Sequence, residues 1–191
     1  MPDVTNDKRV AVLFMDRVER SELVEPVDAL RRAGYEVDLV SVHDGDVQTV
    51  EHSEKADTVT VDRTVDQVSA DDYAGLVLPG GVSNADKLRM DERAVAFVRE
   101  TYEAGVPIAV ICHGPWIMID AGIVRGLTMT SYPSLKTDIR NAGGTWVDRE
   151  TVVDRAVVSS RNTDDLPAFC SQMVRLFAQG RQQKERVGIA A

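Results

Sequence analysis

Residues 9–42 read RVAVLFMDRVERSELVEPVDALRRAGYEVDLVSV. Arg9–Met15 carries a continuous apolar run, the pattern of a strand buried on both faces. A polar turn follows at Asp16–Arg20, and then Leu23, Val24, Val27 and Leu30 recur on one face of a helix. Pro26 is expected in that helix's first turn, where its missing N–H costs nothing, and Gly34 is expected to close it. Tyr35–Val42 is the second strand. A β-α-β opening predicts parallel pairing through a right-handed crossover.

Outward from this unit the pattern repeats with variations. Val59, Val61, Val65 and Val68 alternate with polar residues, which predicts small antiparallel strands with one wet face. Gly75–Pro79 is a buried strand ending in Gly80–Gly81. Asp91–Ala104 reads as a helix, Val106–Ile111 as a strand and His113–Ala121 as a helix. Short strands are expected near Leu127–Thr130 and Val152–Ser159, and a final helix over Asp164–Ala178. The expected fold is α/β: a doubly wound, mostly parallel sheet sandwiched by helices, flavodoxin-like, with a small antiparallel hairpin. Residues 1–191 are expected to form one domain, because no repeat, low-complexity segment or linker divides them.

Composition narrows the function classes. With 43% apolar and 28% charged residues the chain is ordinary globular material. Its longest apolar stretches span about seven residues, where a membrane helix needs about 20. Residues 1–8 are polar and make no secretory signal, and two cysteines make no disulfide framework, so a cytoplasmic location and no membrane partner are expected. The net charge of −9 and the absence of a Lys/Arg cluster argue against a nucleic-acid partner. The 20 Asp, 17 Arg and only five Lys fit either a halophilic surface or a GC-rich genome, and both readings stand.

Chemistry is expected at the carboxyl ends of the parallel strands. There Ala109-Val110-Ile111 delivers Cys112 into His113, Gly114 and a new helix, the strand–turn–helix setting of a nucleophile elbow. A thiol at a helix N-terminus is biased toward thiolate. Cys170 instead follows the helical spacing of Leu166, Phe169, Met173 and Phe177 and is expected to pack. The backbone N–H groups of Gly81 and His113 are the candidate oxyanion hole. Neither phosphate-loop spacing is present at Gly80–Gly81. Of the three histidines, none follows His113, so the Cys-His-Glu order of a class I glutamine amidotransferase is impossible. His43 and His52 lack partners at ligand spacing, and no metal or other cofactor is expected. His113, or a carboxylate from Glu19 or Glu22, is left to assist Cys112.

Ala109-Val-Ile-Cys112-His113-Gly114-Pro115, Leu78-Pro-Gly-Gly81, Thr130-Ser-Tyr132-Pro133 and Val158-Ser-Ser-Arg161 resemble the PfpI-type intracellular proteases. These are part of the glutamine amidotransferase-like superfamily, with deglycase, glyoxalase III and general-stress-protein relatives. The likeness runs from about Arg9 to Phe177. It implies Cys112 as nucleophile, His113 beside it, Glu19 as the carboxyl on the sulfur, and a pocket including Gly80, Tyr132 and Pro115. Proteolytic members carry a glutamate after the glycine pair that reaches a neighbouring subunit. This chain reads Val82-Ser-Asn-Ala-Asp86-Lys87, with one residue inserted, which makes Asp86 the candidate cross-subunit acid. The resemblance implies a homodimer or larger homo-oligomer acting on peptides, or on 2-oxoaldehydes and their glycation adducts. The rival expectation is an oxidative-stress sensor or chaperone-like stress protein using the same Cys112.

Overall fold

The structure, a computed structural model, describes residues 8–181. The apolar run after Arg9 becomes β1 (Arg9–Leu13), with Val10, Ala11, Val12 and Leu13 fully buried. Then follow β2 (Val18–Glu19), α1 (Arg20–Arg32), β3 (Glu36–Ser41), β4 (Asp46–Glu51), β5 (Glu54–Thr60), β6 (Arg63–Thr64) and β7 (Gly75–Leu78). The second half contains α2 (Val82–Leu88), α3 (Glu92–Glu103), β8 (Ile108–Ile111), α4 (Pro115–Asp120), β9 (Thr128–Met129) and α5 (Lys136–Asn141). It ends with β10 (Thr145–Trp146), β11 (Thr151–Asp154), β12 (Val157–Ser160) and α6 (Leu166–Phe177).

The main sheet has seven strands in the order β11-β12-β8-β7-β1-β3-β6. Every pairing is parallel except β11 with β12. From β1 the chain winds first to β3 on one side and later to β7 on the other, so the topological switch lies between β1 and β7. Successive side chains of a strand face opposite sides of the sheet, and both sides are apolar here. Leu13, Leu76, Leu78, Ile108 and Val110 pack with Phe97 of α3, Ile117 of α4 and Ile139 of α5. Val10, Val12, Val77, Ala109 and Ile111 pack with Leu23 and Leu30 of α1 and with Phe169 and Met173 of α6. Cys170 is half-buried against this second cluster, and burial pushes its thiol up to about 11, as suits a packing residue. Among the described residues no helix is long and apolar enough to cross a membrane.

Two local expectations need correction. Pro26 lies in the interior of α1, because β2 runs straight into the helix and starts it at Arg20, before the apolar pattern begins. Its missing N–H therefore withdraws an intrahelical donor from the Glu22 carbonyl. The antiparallel region is smaller than the alternation suggested. β4 and β5 form the hairpin, and β2 joins β4 in parallel to make a three-stranded sheet. Val65 belongs to a 3₁₀ turn and Val68 follows it, and both are buried against the main core. That packing, not a strand, explains their apolar spacing. The β2–β4 pairing matters for function, since it folds the hairpin turn at His52–Ser53 back over the strand ends.

Candidate active site

β8 ends at Ile111, and Cys112 adopts φ 60°, the left-handed region that L-residues other than Asn and Asp rarely enter. Three backbone bonds hold the turn: Cys112 N–H to Ser160 O at 3.1 Å, Tyr132 N–H to Cys112 O at 2.9 Å, and Gly114 N–H to Ile111 O at 2.9 Å. The neighbouring strand and the Tyr132 loop thus over-determine the strained residue. α4 starts at Pro115, a residue suited to a first helical position because its N–H would be unpaired anyway.

The carboxyl beside the sulfur is Glu22. It is 1% exposed, its Oε2 accepts the Gly80 N–H at 2.8 Å, and it is hydrogen-bonded to Cys112. Burial pushes Glu22 up to about 7, against the pull of its bonds to Cys112 and Gly80. Burial and the Glu22 carboxylate likewise push the Cys112 thiol up, while the Gly81 and His113 N–H groups, directed at the sulfur, pull it down. Two anions here would repel strongly, which disfavours ionisation of both groups together. His113 Nδ1 lies 3.1 Å from the sulfur and its Nε2 3.4 Å from Ser134 Oγ. Burial holds the imidazole below its usual range, so it is neutral at pH 7. It stacks on Tyr132 with centroids 4.6 Å apart.

Glu19, the carboxyl expected on the sulfur, is turned elsewhere. It ends β2 as the residue before α1, and its Oε2 accepts the His52 N–H of the hairpin turn at 3.2 Å. Two residues separate the two glutamates, and the start of the helix at Arg20 places Glu22, in its first turn, at the elbow. Glu19 still lines the cavity, with Oε1 buried and without a partner, and burial raises its pKa.

That cavity, about 500 Å³, is open to solvent above Cys112. Glu19, Glu22, Gly81, Asp86, Cys112, His113 and Tyr132 all line it. Pro115 and Gly80, both expected in the pocket, do not: Pro115 is buried at the first position of α4, and Gly80 packs against Glu22 and Cys112. Asp86 also borders a second cavity, about 480 Å³, with Arg89, Trp116 and Asp138. Sequence reasoning missed Arg17 and His52, which close one wall from the β1–β2 turn and the hairpin turn. Only the β2–β4 pairing brings them there, and two-residue β2 leaves no periodic signal. Among the described residues no group of three His, Cys, Asp or Glu side chains is arranged to hold a metal ion.

Gly80 is irreplaceable at this crossing. A Cβ there would meet the Glu22 carboxylate, lie 2.7 Å from Cys112 Cβ and stand 3.0 Å from the His113 nitrogen. Gly80→Ala is therefore expected to cost about 1–3 kcal/mol of stability from overpacking and to lower turnover by more than a hundredfold. Thermal melting and turnover read both; a fully active, equally stable variant would contradict the packing described.

The chain belongs to the DJ-1/PfpI family, whose model matches residues 8–176. It is 41% identical over 171 residues to "Protein/nucleic acid deglycase 2" of Escherichia coli, covering 89% of this chain and 98% of that one. It is 38% identical over 170 residues to "Putative cysteine protease YraA" of Bacillus subtilis, covering 89% and 98%. Among solved structures, Drosophila melanogaster DJ-1beta superposes with a TM-score of 0.81 at 26% identity, over 90% of this chain and 91% of that one.

Proposed function

We propose that this protein is a cysteine-dependent enzyme acting on small 2-oxoaldehydes and on the adducts they form with amines. The observation that carries the reading is the buried Glu22 carboxyl set beside the elbow Cys112, both lining one open cavity; we take the two to share one proton. The relatives named deglycase and putative cysteine protease support an enzyme and leave the bond attacked open.

With the shared proton on Glu22, the sulfur is a thiolate held by the Gly81 and His113 N–H groups. It attacks the aldehyde carbon of a 2-oxoaldehyde, giving a thiohemiacetal whose oxygen takes the charge and then the Glu22 proton. The same amides lie close to the developing oxyanion. A proton moves from that carbon to the neighbouring carbonyl carbon through an enediol, with Glu22 or neutral His113 as carrier. The resulting thioester is hydrolysed by one water, which releases the 2-hydroxy acid and the thiol. Redox change is internal to the substrate, so no cofactor enters the balance. A folded polypeptide would have to thread an extended strand into a 500 Å³ cavity, whereas a three-carbon substrate fits it directly.

The deciding experiment offers purified protein methylglyoxal on one hand and casein or fluorogenic peptides on the other. Lactate release without peptide cleavage is expected. Peptide cleavage without lactate would replace the substrate class. Neither activity, with clean gain of two oxygens at Cys112 under mild peroxide, would favour an oxidant sensor.

A further inference from the structure

Asn84, third residue of α2, is fully buried and every polar atom of its side chain is used. Its Oδ1 accepts the Met15 N–H at 2.7 Å, just past the end of β1. Its Nδ2 donates to Gly80 O at 2.9 Å and to Pro79 O at 3.2 Å. One donor and two acceptors around the amide allow only this orientation of its oxygen and nitrogen. It lies in the Val82–Lys87 stretch that follows the glycine pair.

The two carbonyls it holds belong to two consecutive peptide planes. In a trans peptide the C=O and the following N–H point in opposite directions. Gripping Pro79 O therefore aims the Gly80 N–H, which meets Glu22 Oε2 at 2.8 Å. Gripping Gly80 O aims the Gly81 N–H, which belongs to the same cavity wall as Cys112. Gly80 O has one other backbone donor, the Glu19 N–H, at a long 3.4 Å. Two glycines in succession have wide conformational freedom, with Gly81 at φ 89°, so their planes do not orient themselves.

We infer that Asn84 is the positioning residue of this site: its amide fixes two peptide planes, one N–H on the Glu22 carboxyl and the next on the Cys112 sulfur. The tie to Met15 anchors both planes to β1, at the switch point between β1 and β7. The inference rests on Cys112 being the nucleophile and not on which carbonyl it attacks.

The test reads the thiol itself. Glu22 and His113 are the titratable groups beside the sulfur, with Glu19, Asp86, His52 and Arg17 elsewhere on the cavity lining, and none is altered. Asn84→Asp keeps the acceptor for Met15 and removes the two donors; Asn84→Ser removes the span without adding charge. Iodoacetamide alkylation against pH, read at Cys112 by peptide mass spectrometry, is compared with the wild type, with thermal melting alongside. Both variants are expected to move the thiolate titration up by about one unit and to slow alkylation at pH 7 about tenfold. On methylglyoxal, kcat should drop about a hundredfold with KM little changed. Folded variants that titrate like the wild type, with only a lower melting temperature, would reduce Asn84 to a structural residue and overturn the inference. A shift in Asn84→Asp alone would also overturn it, since added charge then suffices. Absence of lactate from the wild type would strike at the substrate and leave the alkylation comparison standing.

Discussion

Cys112→Ala is expected to abolish turnover, by at least a thousandfold, while the protein melts within about 1 kcal/mol of the wild type. The chemistry requires a nucleophile at this atom, and among the described residues the other cysteine, Cys170, lies in α6 and does not line the cavity. Alanine removes one sulfur from a site open to solvent, so water can fill the space without leaving a dry void. The strained backbone is unchanged, because alanine meets the same left-handed penalty as cysteine at φ 60°. Activity and a melting curve on one preparation measure both halves. Substantial residual turnover in Cys112→Ala would remove the nucleophile from the proposed reaction.

Glu22→Gln should separate activity from stability in opposite directions. Glutamine keeps an acceptor for the Gly80 N–H and a donor toward the sulfur, but it carries no transferable proton. Turnover is expected to decrease by about 10²–10³. Stability should change with pH in a way fixed by the direction of the carboxyl's shift. In the folded protein burial pushes Glu22 up to about 7, above the ordinary 4.5 it has in the unfolded chain. Between those values the folded state binds more protons than the unfolded one, so wild-type stability declines as pH rises through that window. The decline contributed by Glu22 is roughly 3 kcal/mol at most, given 1.36 kcal/mol per unit. Below pH 4.5 this contribution is fully present, and above about 7 it is gone. Glu22→Gln should lack it, and should gain on the wild type from pH 5 to pH 8. Denaturant titrations at those two pH values test this; parallel curves for the two proteins would contradict a buried, proton-bearing Glu22.

The parts of this architecture that sequence could deliver are those with a period. Val10–Leu13 and Ile108–Ile111 are continuous apolar runs because both faces of the sheet are covered by helices, so the strands and the elbow between β8 and α4 were legible. Cys170 was legible for the same reason, as one of a helical series. The choice between Glu19 and Glu22 was not. Both follow the first strand, and which carboxyl faces the sulfur depends on a helix boundary that local pattern locates only to within a residue or two. The wall formed by Arg17 and His52 depends on pairing between β2 and β4, about thirty residues apart, which leaves no local trace. Asn84 was hidden differently. Its residue type suits a loop, and a fully buried asparagine in α2 becomes intelligible only once three backbone partners from two strand ends surround it.

Cys112 and Glu22, and not Glu19, are expected to share one proton. The most direct measurement is the rate of Cys112 alkylation against pH for the wild type, Glu22→Gln and Glu19→Gln. The wild type should depart from the single ordinary thiol titration near pH 8.5, Glu22→Gln should lose the carboxyl-linked step, and Glu19→Gln should keep it. One ordinary titration shared by all three proteins, or a profile altered by Glu19→Gln and untouched by Glu22→Gln, would contradict it.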